Sequence, residues 1–146
     1  MTYTIQELTP DILQDHREDY FATLANLSEV ETMSAQESID TLTAINQQWS
    51  HIYIAVHDDG NIVGTITLML EQKFLRNGAL AGHLEDVAVR QGYEWQGIGW
   101  WLVTHAVSEA KKHGCYKVIL DCNEKLLGFY AKHGFEAKEI CMKMYL

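Results

Sequence analysis

The sequence predicts a single mixed α/β domain with a glycine loop between a central strand and the helix that follows it. The chain has 146 residues, one proline and no repeat or linker-like tract, which fits one domain. Short segments with strand-like alternation are interspersed with segments of helical period. The stretch GYEWQGIGWW (92–101) lies directly between a predicted strand and a predicted helix.

The N-terminal third predicts one strand and two helices. TYTIQE (2–7) alternates polar and apolar residues, as a half-buried strand does. Thr9-Pro10 is typical of a helix start, because proline is favoured at the first helical position, and this helix is expected to reach about Leu27. Ser34-Ala-Gln-Glu37 is a capping box that begins a second helix, which is expected to end near Gln48.

The middle of the chain predicts a β-hairpin and a further strand. HIYIAVH (51–57) and IVGTITLML (62–70) are β-rich, and the turn Asp58-Asp59-Gly60-Asn61 joins them. After a loop that contains Asn77-Gly78, HLEDVAV (83–89) is predicted as the next strand.

The C-terminal part predicts two helices and two strands. A helix is expected from about Ile98 to His113, ended by Gly114. YKVILDC (116–122) is predicted as a buried strand. Asn123 is expected to cap a short helix through Lys132, Gly134 to end it, and FEAKEICMKMYL (135–146) to supply a terminal strand.

Composition restricts the function. The formal net charge of −9 argues against nucleic acid as a partner, because phosphate contacts need a basic footprint. No apolar run of membrane-spanning length occurs, and the N-terminus lacks a signal-peptide pattern. Cys115, Cys122 and Cys141 are odd in number and lack ligand spacing, so we expect reduced thiols in the cytoplasm. The seven histidines are scattered, and no metal site is predicted.

The glycine loop predicts an anion site with unusual neighbours. Gly97 and Gly99 open a helix whose first amides are free to bind a phosphate. Glu94 adds a negative charge to the same loop. A carboxylate about 5 Å from one phosphate charge costs about 3 kcal/mol at an effective dielectric constant near 20.

Tryptophans cluster at the same place. On a helical wheel the core face of the helix consists of six small or apolar residues. They are Gly99, Leu102, Val103, Ala106, Val107 and Ala110. Trp101 falls on the polar side and Trp100 at the edge, so together with Trp95 they predict an exposed aromatic patch.

The array GHLEDVAV, a glycine loop, a helix and CYKVILDCNEKLLGFYAKHGF resembles the GCN5-related N-acetyltransferases (GNAT). Among these the chain is most similar to the glucosamine-6-phosphate N-acetyltransferases. The resemblance is strongest from about Gln72 to Phe135. It implies the GNAT fold, with a central, mixed and splayed β-sheet flanked by helices, and a homodimer in which the terminal strand helps complete the neighbour's site.

The resemblance also implies the chemistry and its residues. Acetyl-CoA would bind between splayed strands, with Val87-Ala88-Val89 holding the pantetheine arm and the loop 94–99, Glu94-Trp95-Gln96-Gly97-Ile98-Gly99, holding the pyrophosphate. Glu85 and Asp86, expected on opposite sides of one strand, and Asp121 would contact the amino-sugar phosphate. Tyr130 corresponds to the tyrosine beside the departing sulfur. Lys73 could meet the sugar phosphate.

Several positions depart from the family pattern around the cofactor cleft. Glu94 stands where the family has glutamine or arginine, and Trp95 where glycine is common. Trp100 replaces a frequent lysine, Leu126 an asparagine that touches CoA, and Tyr145 a C-terminal arginine. These changes suggest an altered or engineered variant.

Two hypotheses follow. The chain is either an acetyl-CoA-dependent N-acetyltransferase of an amino-sugar phosphate, or a binding module on that scaffold. The second would present Trp95, Trp100 and Trp101 to a protein partner at the former CoA site. The shared fold cannot decide between them.

Overall fold

A five-stranded sheet, in the order β1-β2-β3-β4-β5, forms the centre of the molecule. The structure is a computed structural model that describes residues 3–31 and 33–146. Neighbouring strands are antiparallel, except that β5 runs parallel to β4. The strands are β1 (Tyr3–Glu7), β2 (Ser50–His57), β3 (Ile62–Gln72), β4 (Leu80–Val89) and β5 (Cys115–Leu120).

Five α-helices of the described residues lie between or after the strands, and the predicted starts of the first two are confirmed. They are α1 (Pro10–Leu24), α2 (Ala35–Gln47), α3 (Leu75–Gly78), α4 (Ile98–Lys112) and α5 (Leu127–Lys132). The Thr9 hydroxyl accepts the Ile12 amide at the start of α1, and Ser34 and Glu37 form both bonds of the capping box of α2. None of the helices in the described ranges is long and apolar enough to cross a membrane.

The two faces of the sheet carry separate apolar cores. On one face α4 packs through Leu102, Val103, Ala106 and Ala110, which are fully buried, as the helical wheel predicts. On the other face α1 and α2 pack through a second cluster that includes Leu13 and Leu42.

β4 and β5 separate midway, and this separation positions the site. Their pairing runs from Leu80 opposite Cys115 to Leu84 opposite Leu120. β4 then continues from Glu85 to Val89 without a β5 partner, so the splayed sheet is confirmed. Within this stretch β4 contains a bulge, since Thr67 pairs with Glu85 but Thr65 pairs with Ala88.

Three sequence predictions are wrong at the C-terminal end. β5 is a half-exposed strand rather than a buried one, because it lies at the sheet edge. Asn123 makes no side-chain cap, and a turn of 3-10 helix (Glu124–Leu126) precedes α5 instead. Residues 135–146 form no strand, and the apolar Ile140, Met142 and Met144 are exposed. The predicted first strand began at Thr2, which lies outside the described residues.

Candidate active site

The bulge in β4 brings two acidic side chains to one cavity. Asp86 has a φ of 50°, a left-handed conformation that aspartate tolerates better than most residues. Glu85 and Asp86 therefore both line a cavity of about 550 Å³ between the sheet and α1–α2. The expectation that they point to opposite sides of the strand is wrong, because the bulge interrupts the simple alternation of side chains.

Glu85 belongs to a group of acids at the point where β4 and β5 separate. Burial raises the pKa of Glu85, and the charges of Asp121 and Asp86 raise it further. The Cys141 thiol donates to the Asp121 carboxylate over 3.1 Å, so the C-terminal segment crosses this end of β5. A carboxylate with a raised pKa in this position is suited to accept a proton from an amine.

The unpaired part of β4 offers backbone donors towards the opening. The Arg90 amide donates to Val63 of β3 over 2.8 Å, and amides alternate in direction along a strand. The amide of Val89 therefore points away from β3, to the side that β5 has left, whereas Val87 lies within the bulge, where this alternation is interrupted. The Val89 carbonyl on this side accepts from the Asn26 amide over 2.7 Å.

The glycine loop forms the second set of donors. Gly97, with a φ of 76°, is the N-cap of α4. The Trp101 amide donates to the Gly97 carbonyl, which is the first hydrogen bond of this helix. The amides of Ile98, Gly99 and Trp100 come before this first helical bond and have no acceptor within the helix. They form, with the helix dipole, the anion site that the sequence predicts.

Glu94 does not point at these amides. Its carboxylate folds back and accepts the Gly92 amide over 2.7 Å, inside the loop before α4. The repulsion expected between Glu94 and a phosphate is therefore reduced by the local hydrogen bond. Gln96 lies beside it in the turn Glu94–Gln96 and is exposed.

The three tryptophans have different surroundings. Trp95 is 98% exposed, whereas Trp101 is 42% exposed and leans over the loop towards Gly97. Trp100 packs on α5, where its ring lies 3.8 Å from that of His133 and its carbonyl meets the same imidazole at 3.1 Å. The aromatic patch is thus mainly Trp95 and Trp101.

Tyr130 lies on α5 and belongs to the apolar core on the α4 side of the sheet. It is buried between Phe129 and Phe135, and burial raises its pKa, with the nearby Cys122 thiol adding to the rise. The neighbouring Phe129 ring lies 3.8 Å from the position of a Cβ at Gly99. α5 is therefore held against the start of α4, and Leu126 precedes it on the surface.

Lys73 lies at the end of β3 and is already paired. Its ammonium group contacts the Glu71 carboxylate, which also meets His83 Nε2 at 2.7 Å. The hydrogen bond from Lys73, followed by that from His83, lowers the pKa of Glu71. A phosphate bound at Lys73 would share the ammonium group with the Glu71 carboxylate.

Two site features were missed by sequence reasoning. Asn26 reaches β4 across 63 positions of sequence, and no local pattern signals this contact. The Tyr20 phenol and the Thr65 hydroxyl lie together beside Asp86, but they are separated in the chain.

The opening between β4 and β5 has free amides on the α4 side and carboxylates on the α1–α2 side. It can admit a thioester and an anionic carrier from one face and an amine from the other, which is the arrangement of an acyl-CoA-dependent acyltransferase. Residues 9–135 match the acetyltransferase (GNAT) family. The chain belongs to that family.

Known proteins with high similarity support the same assignment. A protein of Oryza sativa subsp. japonica named probable glucosamine 6-phosphate N-acetyltransferase 2 is 37% identical over 138 residues, which are 90% of this chain and 82% of that protein. A solved Trypanosoma brucei acetyltransferase superposes with a TM-score of 0.92 at 33% identity, with 99% of each chain covered. The glucosamine-6-phosphate N-acetyltransferase of Arabidopsis thaliana gives a TM-score of 0.92 at 31% identity, again with 99% of each chain covered.

Proposed function

We propose that this protein transfers the acetyl group of acetyl-CoA to the amine of glucosamine 6-phosphate. The observation that carries the proposal is the unpaired stretch of β4 beside β5, with free amides on one side and Glu85 on the other. The names of the similar proteins support the amino-sugar phosphate as acceptor.

Acetyl-CoA fits the donors around this opening. The amides at the start of α4 suit the pyrophosphate, and the amide of Val89 suits the pantetheine arm and the thioester carbonyl. The thioester supplies an acetyl group that is already activated for transfer. Among the described residues no group of three or more His, Cys, Asp or Glu side chains could hold a metal ion.

The protein's residues manage the protons of this transfer. The amine attacks in its neutral form, so its proton must leave, and Glu85 is the acceptor with a suitably raised pKa. A bond forms between the nitrogen and the acetyl carbon as the bond from that carbon to sulfur breaks. Tyr130 then donates a hydrogen bond to the leaving sulfur.

The pKa of Tyr130 limits what it can do. An ordinary phenol, with a pKa near 10, is about 2 kcal/mol too weak to protonate a thiolate whose acid has a pKa near 8.5. Burial raises the pKa of Tyr130 and widens this gap. The role of Tyr130 is therefore a strong hydrogen bond to the developing negative charge, with the proton completing its transfer later.

The direct test is a thiol-release assay with acetyl-CoA and glucosamine 6-phosphate. We expect one thiol for each acetylated sugar, and a KM for the sugar phosphate that rises in Lys73→Met, because Lys73 would contact the phosphate. A chain that releases no thiol with this acceptor contradicts the proposed function.

A homodimer is part of the proposal. The outer edge of β5 is half-exposed, and residues 135–146, which form neither helix nor strand, carry exposed apolar side chains at alternate positions, Ile140, Met142 and Met144. A segment with this alternation can add as a strand to an exposed sheet edge of a second copy. Light scattering should give twice the chain mass for the whole protein and the single mass after deletion of residues 137–146. A monomeric whole chain would contradict the dimer.

A second candidate function is a protein-binding surface at the mouth of the cofactor site, natural or engineered. The full exposure of Trp95 favours it, because exposed aromatic residues are common anchors of interfaces. Under this candidate, reverting Glu94→Arg and Trp95→Gly restores CoA binding that the present chain lacks. Unchanged CoA affinity in the double variant argues against it.

A cytoplasmic location completes the proposal. Its support is the three free cysteines, Cys115, Cys122 and Cys141, which suit a reducing compartment. Fractionation of source cells tests it, and recovery in a secreted fraction would contradict it.

A further inference from the structure

The cavity on the α1–α2 side has mainly apolar walls beyond its two carboxylates. It measures about 550 Å³ and extends from Glu85 and Asp86 to side chains such as Phe21, Leu24 and Ile45. Cavities of this size hold small organic ligands.

The charges of this cavity are of one sign. Its walls include the carboxylates of Glu85 and Asp86 at one end, and none of its lining residues is lysine, arginine or histidine. A phosphate deep in this cavity would therefore lack a counter-charge, whereas an ammonium group would have two. The remaining walls suit an apolar body, because eleven of the seventeen lining residues are apolar or aromatic without a charge.

A buried phenol lies at the acidic end of the cavity. Tyr20 lines the wall together with Glu85 and Asp86. Its pKa is raised to about 12, because burial disfavours the phenolate and the Asp86 charge adds to the rise, whereas a hydrogen bond with the Thr65 hydroxyl lowers it. The phenol and the two carboxylates make this end the polar part of the cavity.

We propose that this cavity binds primary amines with an apolar body, the ammonium group at Glu85 and Asp86 and the body between α1 and α2. The acetylation of these amines depends on the proposed acetyl transfer, whereas their binding does not. In transfer, a bond forms between their nitrogen and the acetyl carbon while the bond from carbon to sulfur breaks. The proton of the amine passes to Glu85, and the sulfur leaves as the thiol of CoA.

Calorimetry on the whole chain without acetyl-CoA tests the binding with n-hexylamine. Ethylamine is the control for the apolar body, and 1-hexanol is the control for the charge. Each buried methylene should tighten binding about fourfold. We expect n-hexylamine to bind at least tenfold tighter than either control. Equal affinity for n-hexylamine and ethylamine, or for n-hexylamine and 1-hexanol, would overturn the proposal.

A matched pair of variants locates the ligand. Leu24→Trp adds bulk to the cavity wall at the end of α1, and Leu75→Trp makes the same change on the exposed turn of α3. We expect the first to weaken n-hexylamine at least tenfold and the second less than twofold, in proteins whose thermal transitions show that both are folded. Equal affinities in the two variants contradict binding in the cavity.

A parallel assay separates this inference from the proposed function. Competition by n-hexylamine against glucosamine 6-phosphate in thiol release supports a shared amine position at Glu85. Acetylation of the sugar phosphate without any n-hexylamine binding overturns the cavity proposal alone. Tight n-hexylamine binding in a chain that releases no thiol with the sugar phosphate overturns the proposed function and supports the cavity proposal.

Discussion

The two faces of the sheet differ in how tightly the helices pack against them. On the α4 side, Gly64 of β3 lets the helix approach so closely that an added Cβ would lie 2.6 Å from Ile98 and 2.8 Å from Leu102. On the α1–α2 side the helices also contact the sheet, through Leu13 and Leu42, but they leave a cavity of about 550 Å³ beside that contact. The closely packed face positions the donors for acetyl-CoA, and the open face leaves room for an acceptor.

This difference follows from residue types along β3 and β4. Facing α4 are Gly64, Ile66 and Leu68, whereas Thr65 and Thr67 face α1 and α2. Apolar side chains that interdigitate fill the space between a helix and a sheet, whereas short polar side chains on the sheet leave part of that space empty. Binding sites with adaptable contents are therefore expected on the second face.

The largest expected effect is on the chemistry at the tightly packed face. Tyr130→Phe removes the hydrogen bond to the leaving sulfur, so we expect kcat to fall about 100-fold, equivalent to about 3 kcal/mol. Steady-state kinetics of thiol release provide the measurement. Phe129→Leu, which keeps the hydroxyl of Tyr130, is the control and should retain more of kcat. An unchanged kcat in Tyr130→Phe would exclude this role.

The next effect is on stability. Gly64→Ala forces Ile98 and Leu102, both fully buried, to move, and we expect a loss of about 2 kcal/mol in the free energy of unfolding. Gly128→Ala is the matched control, because no heavy atom lies within 4 Å of its Cβ position and alanine favours the helix. Denaturant titration of both variants gives the difference. Equal stability of the two would mean that the close approach of α4 is not the constraint described.

Glu85 on the open face should be important for activity and unfavourable for stability. We expect Glu85→Gln to lower kcat/KM about tenfold at neutral pH, because the proton acceptor is lost. The pH dependence of wild-type activity should rise as Glu85 loses its proton, above the ordinary range of a glutamate because its pKa is raised.

Glu85→Gln is expected to lower activity but to raise stability at neutral pH. A raised pKa means that the folded state binds the proton more tightly, so the Glu85 contribution to stability falls as pH rises from the unfolded pKa through the folded one. Glu85→Gln should therefore be more stable than the wild type at pH 7 and lose that advantage near pH 4. Unfolding curves at both pH values, with exposed Glu31→Gln as control, provide the measurement. A variant that is less stable at pH 7 contradicts the raised pKa.

The smallest effect concerns the wall of the cavity. Ser34→Ala removes the capping box of α2, and a loss of about 1 kcal/mol is expected in the free energy of unfolding. Ser28→Ala, in the turn after α1, is the control and should change it by less than about 0.5 kcal/mol. If both variants match the wild type, the cap is not part of what holds α2 over the cavity.

Local patterns predicted most of the fold. The capping box at Ser34, the hairpin of β2 and β3 and the core face of α4 depend on neighbouring residues, which the sequence displays. The terminal strand was not observed, because 135–146 alternate in sequence but have no strand beside them within this chain. A strand needs a partner, and no local pattern supplies one.

The sequence predicted which residues form the candidate site better than it predicted how their side chains are arranged. The bulge at Asp86 has no glycine or proline to signal it, so the shared orientation of Glu85 and Asp86 could not be read from the sequence. The hydrogen bond from Gly92 to Glu94 depends on the fold of one loop, and it changed the expected effect of that carboxylate. The cavity lies beside the contact of α1 and α2 with the sheet, and only tertiary packing determines it.

The account depends most on the donors around Gly97 and along β4. A calorimetric titration of the whole chain with acetyl-CoA measures whether they bind a thioester of CoA. We predict saturable binding with one acetyl-CoA per chain and a Kd in the micromolar range, about −8 kcal/mol. Absence of binding at millimolar acetyl-CoA, in a protein shown to be folded, would contradict the account.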